Sequence, residues 1–415
     1  EQDVRVTVAL YEKILNENYS MESIELEHQV VHIIMRQVAF GFMFDKKKAL
    51  ALYVKLLHRQ EEIKQELQLI FHPWWGSKGV HVPKRNNKTL GYIEGQPYTK
   101  VILNDFNAGS RDHIAQRLIK IRGWKPKDFG ANGKPTVDEN ILSKLKYPEA
   151  KKLTEYLLLT KRIGQVGDGQ QAWLKTEKKG RIHGQVNTNG AVTGRMTHNR
   201  PNVAQTPSSG SIYGPECREC FTVPDGYVLV GADASGLELR CLGHYMARWD
   251  KGAYVKEILE GDIHTTNQVA AGLTTRAAAK TFIYAFLYGA GDEKIGSVIG
   301  KGQEEGRALK KRFLANLPAL DELIKAVQLK AKTQGYLVGL DGRRIHVRSP
   351  HSALNTLLQG AGAIAMKKAL VLLDDSLQAA GYICGVDYEF VANVHDEWQI
   401  QVKEEIANDV GRKAT

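Results

Sequence analysis

The stretch near the end of the chain, Phe390-Val-Ala-Asn-Val-His-Asp-Glu-Trp-Gln-Ile-Gln-Val402, constrains the fold most. Its even positions are Phe390, Ala392, Val394, Asp396, Trp398, Ile400 and Val402, and such alternation marks a half-buried β-strand. One straight strand would bury Asp396 on its apolar face, and an unpaired buried carboxylate is costly. A hairpin removes the difficulty. With His395, Asp396 and Glu397 as a three-residue loop, Val394 pairs with Trp398, Ala392 with Ile400 and Phe390 with Val402. A two-residue loop at His395-Asp396 would set Val394 opposite Glu397 and Ala392 opposite Gln399. The pattern therefore predicts the three-residue loop, with two acids at the tip of a core-anchored hairpin. An ordinary acidic turn would leave the same trace, so the rest of the chain has to decide.

The chain has 415 residues, 43% of them hydrophobic, enough for a sizeable core and two or three domains. Lys and Arg number 57 against 46 Asp and Glu, a net charge of +11 that fits an anionic partner, nucleic acid foremost. Four cysteines are too few for a disulfide framework and imply a reducing compartment. Cys217 and Cys220 form a Cys-x-x-Cys, but no second close pair completes a zinc site, so they read as structural. No apolar run reaches the roughly 18 residues of a membrane span, and no signal peptide opens the chain. Glu1 in place of methionine reads as the mark of a fragment or processed product.

Helical periodicity is expected over 2–17, 24–40, 46–71, 110–122, 148–164, 236–249, 275–288, 304–333 and 352–380. In the third of these, Tyr53, Leu56, Ile63, Leu67 and Ile70 form an amphipathic stripe. Residues 71–98 are irregular, basic and aromatic and read as an exposed loop or small insertion. Short strands begin near 180, and a strand–turn–strand bends at Asp341-Gly342. Helices, strands, helices and strands in that order imply an α+β architecture with a helical lobe inserted into a sheet domain.

Tyr227 to Ala232 is a near-continuous apolar run, consistent with a buried central strand, and it ends on Asp233. An acid there often caps the next helix. Alternatively, two carboxylates on separate rigid strands, Asp233 and Asp396, can hold two Mg²⁺ ions and drive in-line displacement at phosphorus. Magnesium takes oxygen ligands and keeps waters and substrate phosphates, so few protein ligands suffice. Further along, Thr274 to Gly289 reads as a capped, glycine-ended helix. Arg276, Lys280, Tyr284 and Tyr288 recur every four residues along one stripe, above a core of Phe282, Ile283, Phe286 and Leu287. Like charges one turn apart repel. A triphosphate lying along the stripe would reverse that penalty, and a tyrosine beyond it offers a platform for a base or sugar.

Taken together these segments resemble the family-A (Pol I-like) DNA polymerases. Asp233-Ala-Ser-Gly-Leu-Glu-Leu-Arg240 and Val394-His-Asp-Glu397 resemble the two acidic motifs of that family, and Arg276-x3-Lys280-x3-Tyr284-x3-Tyr288-Gly289 its fingers-helix motif. Thr193-Gly-Arg-Met-Thr-His-Asn-Arg-Pro-Asn-Val-Ala-Gln-Thr-Pro207 and Leu354-Asn-Thr-Leu-Leu-Gln-Gly360 resemble its duplex-contacting segments. Gly261-Asp-Ile-His-Thr265 and Tyr288-Gly-Ala-Gly-Asp-Glu-Lys-Ile-Gly296 are similar to the replicative polymerases of short-tailed, T-odd bacteriophages.

The resemblance implies a right-hand polymerase fold, with an antiparallel-sheet palm, helical fingers and helical thumb. Residues 1–20 would be a remnant of a 3′–5′ exonuclease module carrying Asp3 as a former metal ligand. Residues 21–175 would form the thumb and palm entry, 176–265 and 340–415 the two parts of the palm, and 266–339 the fingers. Asp233, Asp396 and the carbonyl of Ala234 would hold two Mg²⁺ ions, with Mn²⁺ as a substitute, and Glu397 would support them indirectly. Arg276, Lys280 and His264 would grip the incoming triphosphate, with Lys280 also a proton donor to pyrophosphate. Glu238 would exclude a 2′-hydroxyl, and Tyr284 would tolerate dideoxynucleotides. Arg195, Asn202, Gln205, Tyr288, Asn355, Gln359, His395, Lys161 and Arg162 would contact DNA.

The implied partners are primer–template DNA and a deoxynucleoside triphosphate, in the cytoplasm of an infected bacterium, with no membrane. A processivity factor and a replicative helicase-primase are further partners the resemblance allows. The insertion at 71–98 is shorter than the thumb loop that captures thioredoxin in the phage enzymes, which argues against that partner. Two rivals are a two-metal enzyme of another class, such as a nuclease or RNA polymerase, and a non-catalytic basic module.

Overall fold

Helices form where apolar residues recur at three- and four-residue spacing, and strands where that period gives way to alternation. The computed structural model describes residues 2–17 and 19–415. It divides into two compact units. One takes in residues up to Met43, Arg181–Thr206 and Thr222–Thr415, and the other Phe44–Gly180 and Pro207–Phe221. Helices with small antiparallel sheets make this the expected α+β class.

Nearly all the predicted helices are present, among them Gln2–Asn16, Met21–Phe40, Lys46–Ile70, Arg111–Arg122 and Pro148–Ile163. Leu237–Asp250, Arg276–Leu287 and Ala353–Ala379 complete the set. The single helix expected over 304–333 is instead two, Gln303–Asn316 and Pro318–Gln334. Pro318 lacks the N–H that a continuous helix needs and opens the second helix at its first turn. The Gln2–Asn16 helix, which includes Asp3, buries no residue.

In the second unit, Leu56, Ile63 and Leu67 of the Lys46–Ile70 helix are fully buried, as their spacing predicts. Arg59 fastens this helix to the Pro148–Ile163 helix through both oxygens of Glu155, at 2.8 and 3.2 Å. Cys217 and Cys220 are buried here, and burial pushes their thiols up to about 11 and 12. The reading of 71–98 as a loop is corrected. Trp74–His81 is a strand paired antiparallel with Tyr98–Asn104, and only 82–97 stays irregular between them. Trp74 anchors one end of the ribbon: it is buried, with the Arg117 guanidinium 4.5 Å above its ring and His113 at its edge.

The first unit holds a three-stranded antiparallel sheet whose middle strand is Glu397–Lys403, flanked by Tyr388–Val394 and Tyr227–Asp233. The Tyr227–Asp233 run is therefore an edge strand, not the central one expected, and Leu229 on it is exposed. Behind the sheet, Tyr388, Phe390, Trp398, Ile400 and Val402 share a core with Val30, Ile33, Ile34, Leu370, Val371 and Leu377. The Ala353–Ala379 helix bears on the expectation that no apolar run is long enough to span a membrane. By length and mean hydropathy the segment Pro350–Ala379 passes for a membrane span, although Asn355, Gln359, Lys367 and Lys368 interrupt its apolar run. Most of it is buried inside this unit, which is the state of a core helix. Lys367 on it is buried with Glu27, 2.5 Å away, and Glu27 also accepts from Arg343 at 2.6 Å.

Candidate active site

The closing hairpin turns more tightly than its alternation predicts. Val394 stands opposite Glu397 and Ala392 opposite Gln399, so the loop is the two-residue turn His395-Asp396 and not the three-residue one. A bulge between Phe390 and Ala392 then shifts the register, giving Phe390 opposite Ile400 and Tyr388 opposite Val402. The bulge restores the apolar pairing that the longer loop was invoked to provide. His395 adopts φ +57°, a left-handed conformation that non-glycine residues reach rarely, histidine among the more tolerant.

The neighbouring strand brings the second acid. Asp233 lies opposite Glu397, and the Ala234 N–H donates to the Asp396 carbonyl at 2.9 Å, tying the two acidic segments together. Asp233 does not cap the next helix: Gly236, at φ +60°, is the N-cap of Leu237–Asp250. Glu397 shares its face of the strand with Gln399, which donates to it, and Glu397 does not line the cleft. Trp398 between them turns into the core.

Asp233, Ala234 and Asp396 form one wall of a cleft of about 640 Å³. The opposite wall is the cationic stripe, where Arg276, Lys280, Tyr284 and Tyr288 all line the cleft, as their four-residue spacing predicts. The helix carrying them is capped by Thr275 and anchored from behind by Phe282, Ile283 and Leu287, all buried, with Phe286 packed beside them. Burial first, and then the charges of Asp233 and Glu238, pushes the Asp396 carboxyl up from its ordinary range. Burial, with the charges of Glu238, Asp396 and Asp233, likewise raises the Tyr284 hydroxyl. Two like charges and a carbonyl on one wall are an oxygen-only donor set, which suits a hard divalent cation and is relieved by one. Among the described residues no three His, Cys, Asp or Glu side chains converge as a complete cage. Such a site would be completed by water and substrate oxygens.

Glu238 sits between the walls, 9% exposed, and accepts from Arg195 at 2.7 Å and from Tyr288 Oη at 2.9 Å. Burial alone would raise its carboxyl, but these two donors prevail and hold it below the ordinary range. His264 lies beside Arg276 and Lys280; burial, then those two charges, lower its imidazole. Its Nδ1 is buried and unpartnered among the described residues.

Of the proposed DNA contacts, Arg195, Tyr288 and His395 line the cleft. Asn355 and Gln359 are one turn apart on the Ala353–Ala379 helix and half-buried while their neighbours are buried, so they mark its open face. Asn202 is half-buried, its Oδ1 buried without a partner among the described residues, and Gln205 is exposed. Lys161 and Arg162 belong to the other unit, where Lys161 pairs with Glu139 at 2.7 Å. The motifs assign Asp262 no role of its own, although it stands in the 261–265 stretch and directly before a helix; it holds Arg276 through both carboxylate oxygens at 2.7 and 3.0 Å.

A sheet presenting two acids across a cleft from a cationic helix is the arrangement of a right-hand polymerase, and comparison with solved structures gives the same fold. The POL domain of Pol1 from M. smegmatis, in complex with DNA primer-template and dNTP, matches with a TM-score of 0.74 at 19% identity. The match covers 94% of this chain and 65% of that one. In sequence, the model of DNA polymerase family A matches residues 81–415. The DNA-directed DNA polymerases of Enterobacteria phage T3 and Escherichia phage T7 are each 41% identical, over 99% of this chain and 71% of theirs. The chain belongs to DNA polymerase family A and is an enzyme of the DNA-directed DNA polymerase class.

Proposed function

We propose that this chain extends a primer 3′ end with deoxynucleoside triphosphates in phage DNA replication, inside an infected bacterium, with two divalent cations, Mg²⁺ or Mn²⁺. The observation that carries the reading is the single cleft holding Asp233 and Asp396 opposite Arg276, Lys280 and Tyr284. Asp233, Asp396 and the Ala234 carbonyl would hold the cations, which when bound lower the pKa of the primer hydroxyl and neutralise phosphate charge. Lys280, Arg276 and His264 would bind the triphosphate, and Lys280 would give a proton to departing pyrophosphate. Glu238, locked by Arg195 and Tyr288, would stand where a ribose 2′-hydroxyl would project. Glu397 acts through the strand, being paired in register with Asp233.

Arg195, Asn202, Gln205, Tyr288, His395, Asn355 and Gln359 would bind the primer–template, through minor-groove acceptors common to all correct pairs. Lys161 and Arg162 would bind its phosphates. The helices over 266–339 would then be the fingers, 176–265 and 340–415 the palm, and 21–175 the thumb and palm entry. The test is primer extension with Mg²⁺ and four deoxynucleotides, for the parent and Asp396→Ala, beside primer–template binding. Extension lost in the variant with binding retained supports the reading. Equal use of ribonucleotides by the parent would favour an RNA polymerase instead.

A further inference from the structure

The three nitrogen-bearing side chains facing the proposed triphosphate site are unequal. Lys280 is exposed and makes no hydrogen bond or ion pair among the described residues. His264 presents an unpartnered Nδ1. Arg276, in contrast, is engaged: its Nε and Nη2 donate to the two oxygens of Asp262. Asp262 is itself fixed. It caps the Ile263–Ala271 helix, accepting from the His264 N–H at 3.1 Å and from Thr265 Oγ1 at 2.8 Å. Asp262 lines the same cleft as these side chains, so a carboxylate stands where a phosphate would otherwise meet Arg276.

We infer that Asp262 is an internal anion that competes with the incoming triphosphate for Arg276, so that it sets nucleotide affinity. The inference rests on the polymerase reading of the cleft. Arg276 and Asp262 are 55% and 44% exposed as side chains, so their pair is solvent-screened and yields readily to a polyanion. The effect on affinity is accordingly a few-fold and not orders of magnitude. An opposite role, in which Asp262 aims Arg276 at the phosphates, predicts the opposite sign.

Asp262→Asn separates the two, because asparagine caps a helix as well as aspartate does but carries no charge. Equilibrium dialysis with dATP in Mg²⁺ buffer is expected to show binding tighter by about two- to fivefold in Asp262→Asn. Asp262→Ser, a second uncharged cap, should give the same gain. In steady-state primer extension the KM for dATP should fall by a similar factor. In an Arg276→Ala background the gain should vanish. Unchanged or weaker dATP binding in both variants would overturn the inference, as would a gain that persists without Arg276. The dialysis result decides this point whether or not the parent extends a primer, whereas primer extension decides the polymerase reading.

Discussion

Two β-hairpins in this chain make the same local element and are used in opposite ways. The Tyr388–Lys403 hairpin gains a third strand along one edge and a helical core behind it, and every residue from Tyr388 to Asn393 is buried. Among the described residues the Trp74–Asn104 ribbon has no third strand, and Trp75, Val80, Val101 and Leu103 are exposed on it. Isolated two-stranded hairpins are marginal in water. The ribbon is held at one end by Trp74, whereas the sheet hairpin is over-determined along its whole length. That surplus of packing is what permits His395 at φ +57° and two acids in one cleft, since strained or repelling groups persist only where their surroundings fix them.

Substitutions can break this comparison at several depths. The largest effect is expected for Asp396→Ala, which should lower primer-extension rate by about a thousandfold or more while leaving thermal unfolding nearly unchanged. Comparable losses of activity and stability would mean the acid serves the fold. Next, Trp398→Ala should destabilise the chain by about 3–5 kcal/mol in denaturant unfolding, and Trp75→Ala by less than about 0.5 kcal/mol. Similar values for the two tryptophans would dissolve the contrast between the hairpins.

Tyr284→Phe sharpens the chemical side of the contrast, removing one hydroxyl from the cleft and nothing from the core behind it. Discrimination against dideoxynucleotides should rise on the order of a hundredfold. Equal incorporation by parent and variant, in competition with deoxynucleotides, would defeat that expectation. The smallest effect concerns Glu238. Its carboxyl is held below the ordinary range, so its stabilisation is present above the unfolded value near 4.3 and is lost as pH falls through the depressed folded value. Glu238→Gln should therefore cost about 1–3 kcal/mol at neutral pH, with the gap to the parent closing in acid. A gap independent of pH would show that the hydrogen-bond geometry, and not the charge, is what matters.

Much of this arrangement was legible from the residue order. Period and spacing located the helices and put Arg276, Lys280, Tyr284 and Tyr288 on one stripe. The interrupted alternation around Asp396 disclosed a hairpin with an acid at its tip, because side-chain direction along a regular element follows from its dihedral angles alone. The two-residue loop and its compensating bulge did not follow from that pattern. Register is settled by what lies on both faces, and here Asn393 and Gln401 are buried along with the apolar positions. The break at Pro318 follows from the residue itself, which has no N–H to continue a helix. The edge position of Tyr227–Asp233, the Arg195–Glu238–Tyr288 lock and the Asp262–Arg276 pair join residues far apart in the chain. Sequence fixes which groups a helix or strand can present. Which of them meet is a property of how those elements pack, and only the tertiary structure decided it.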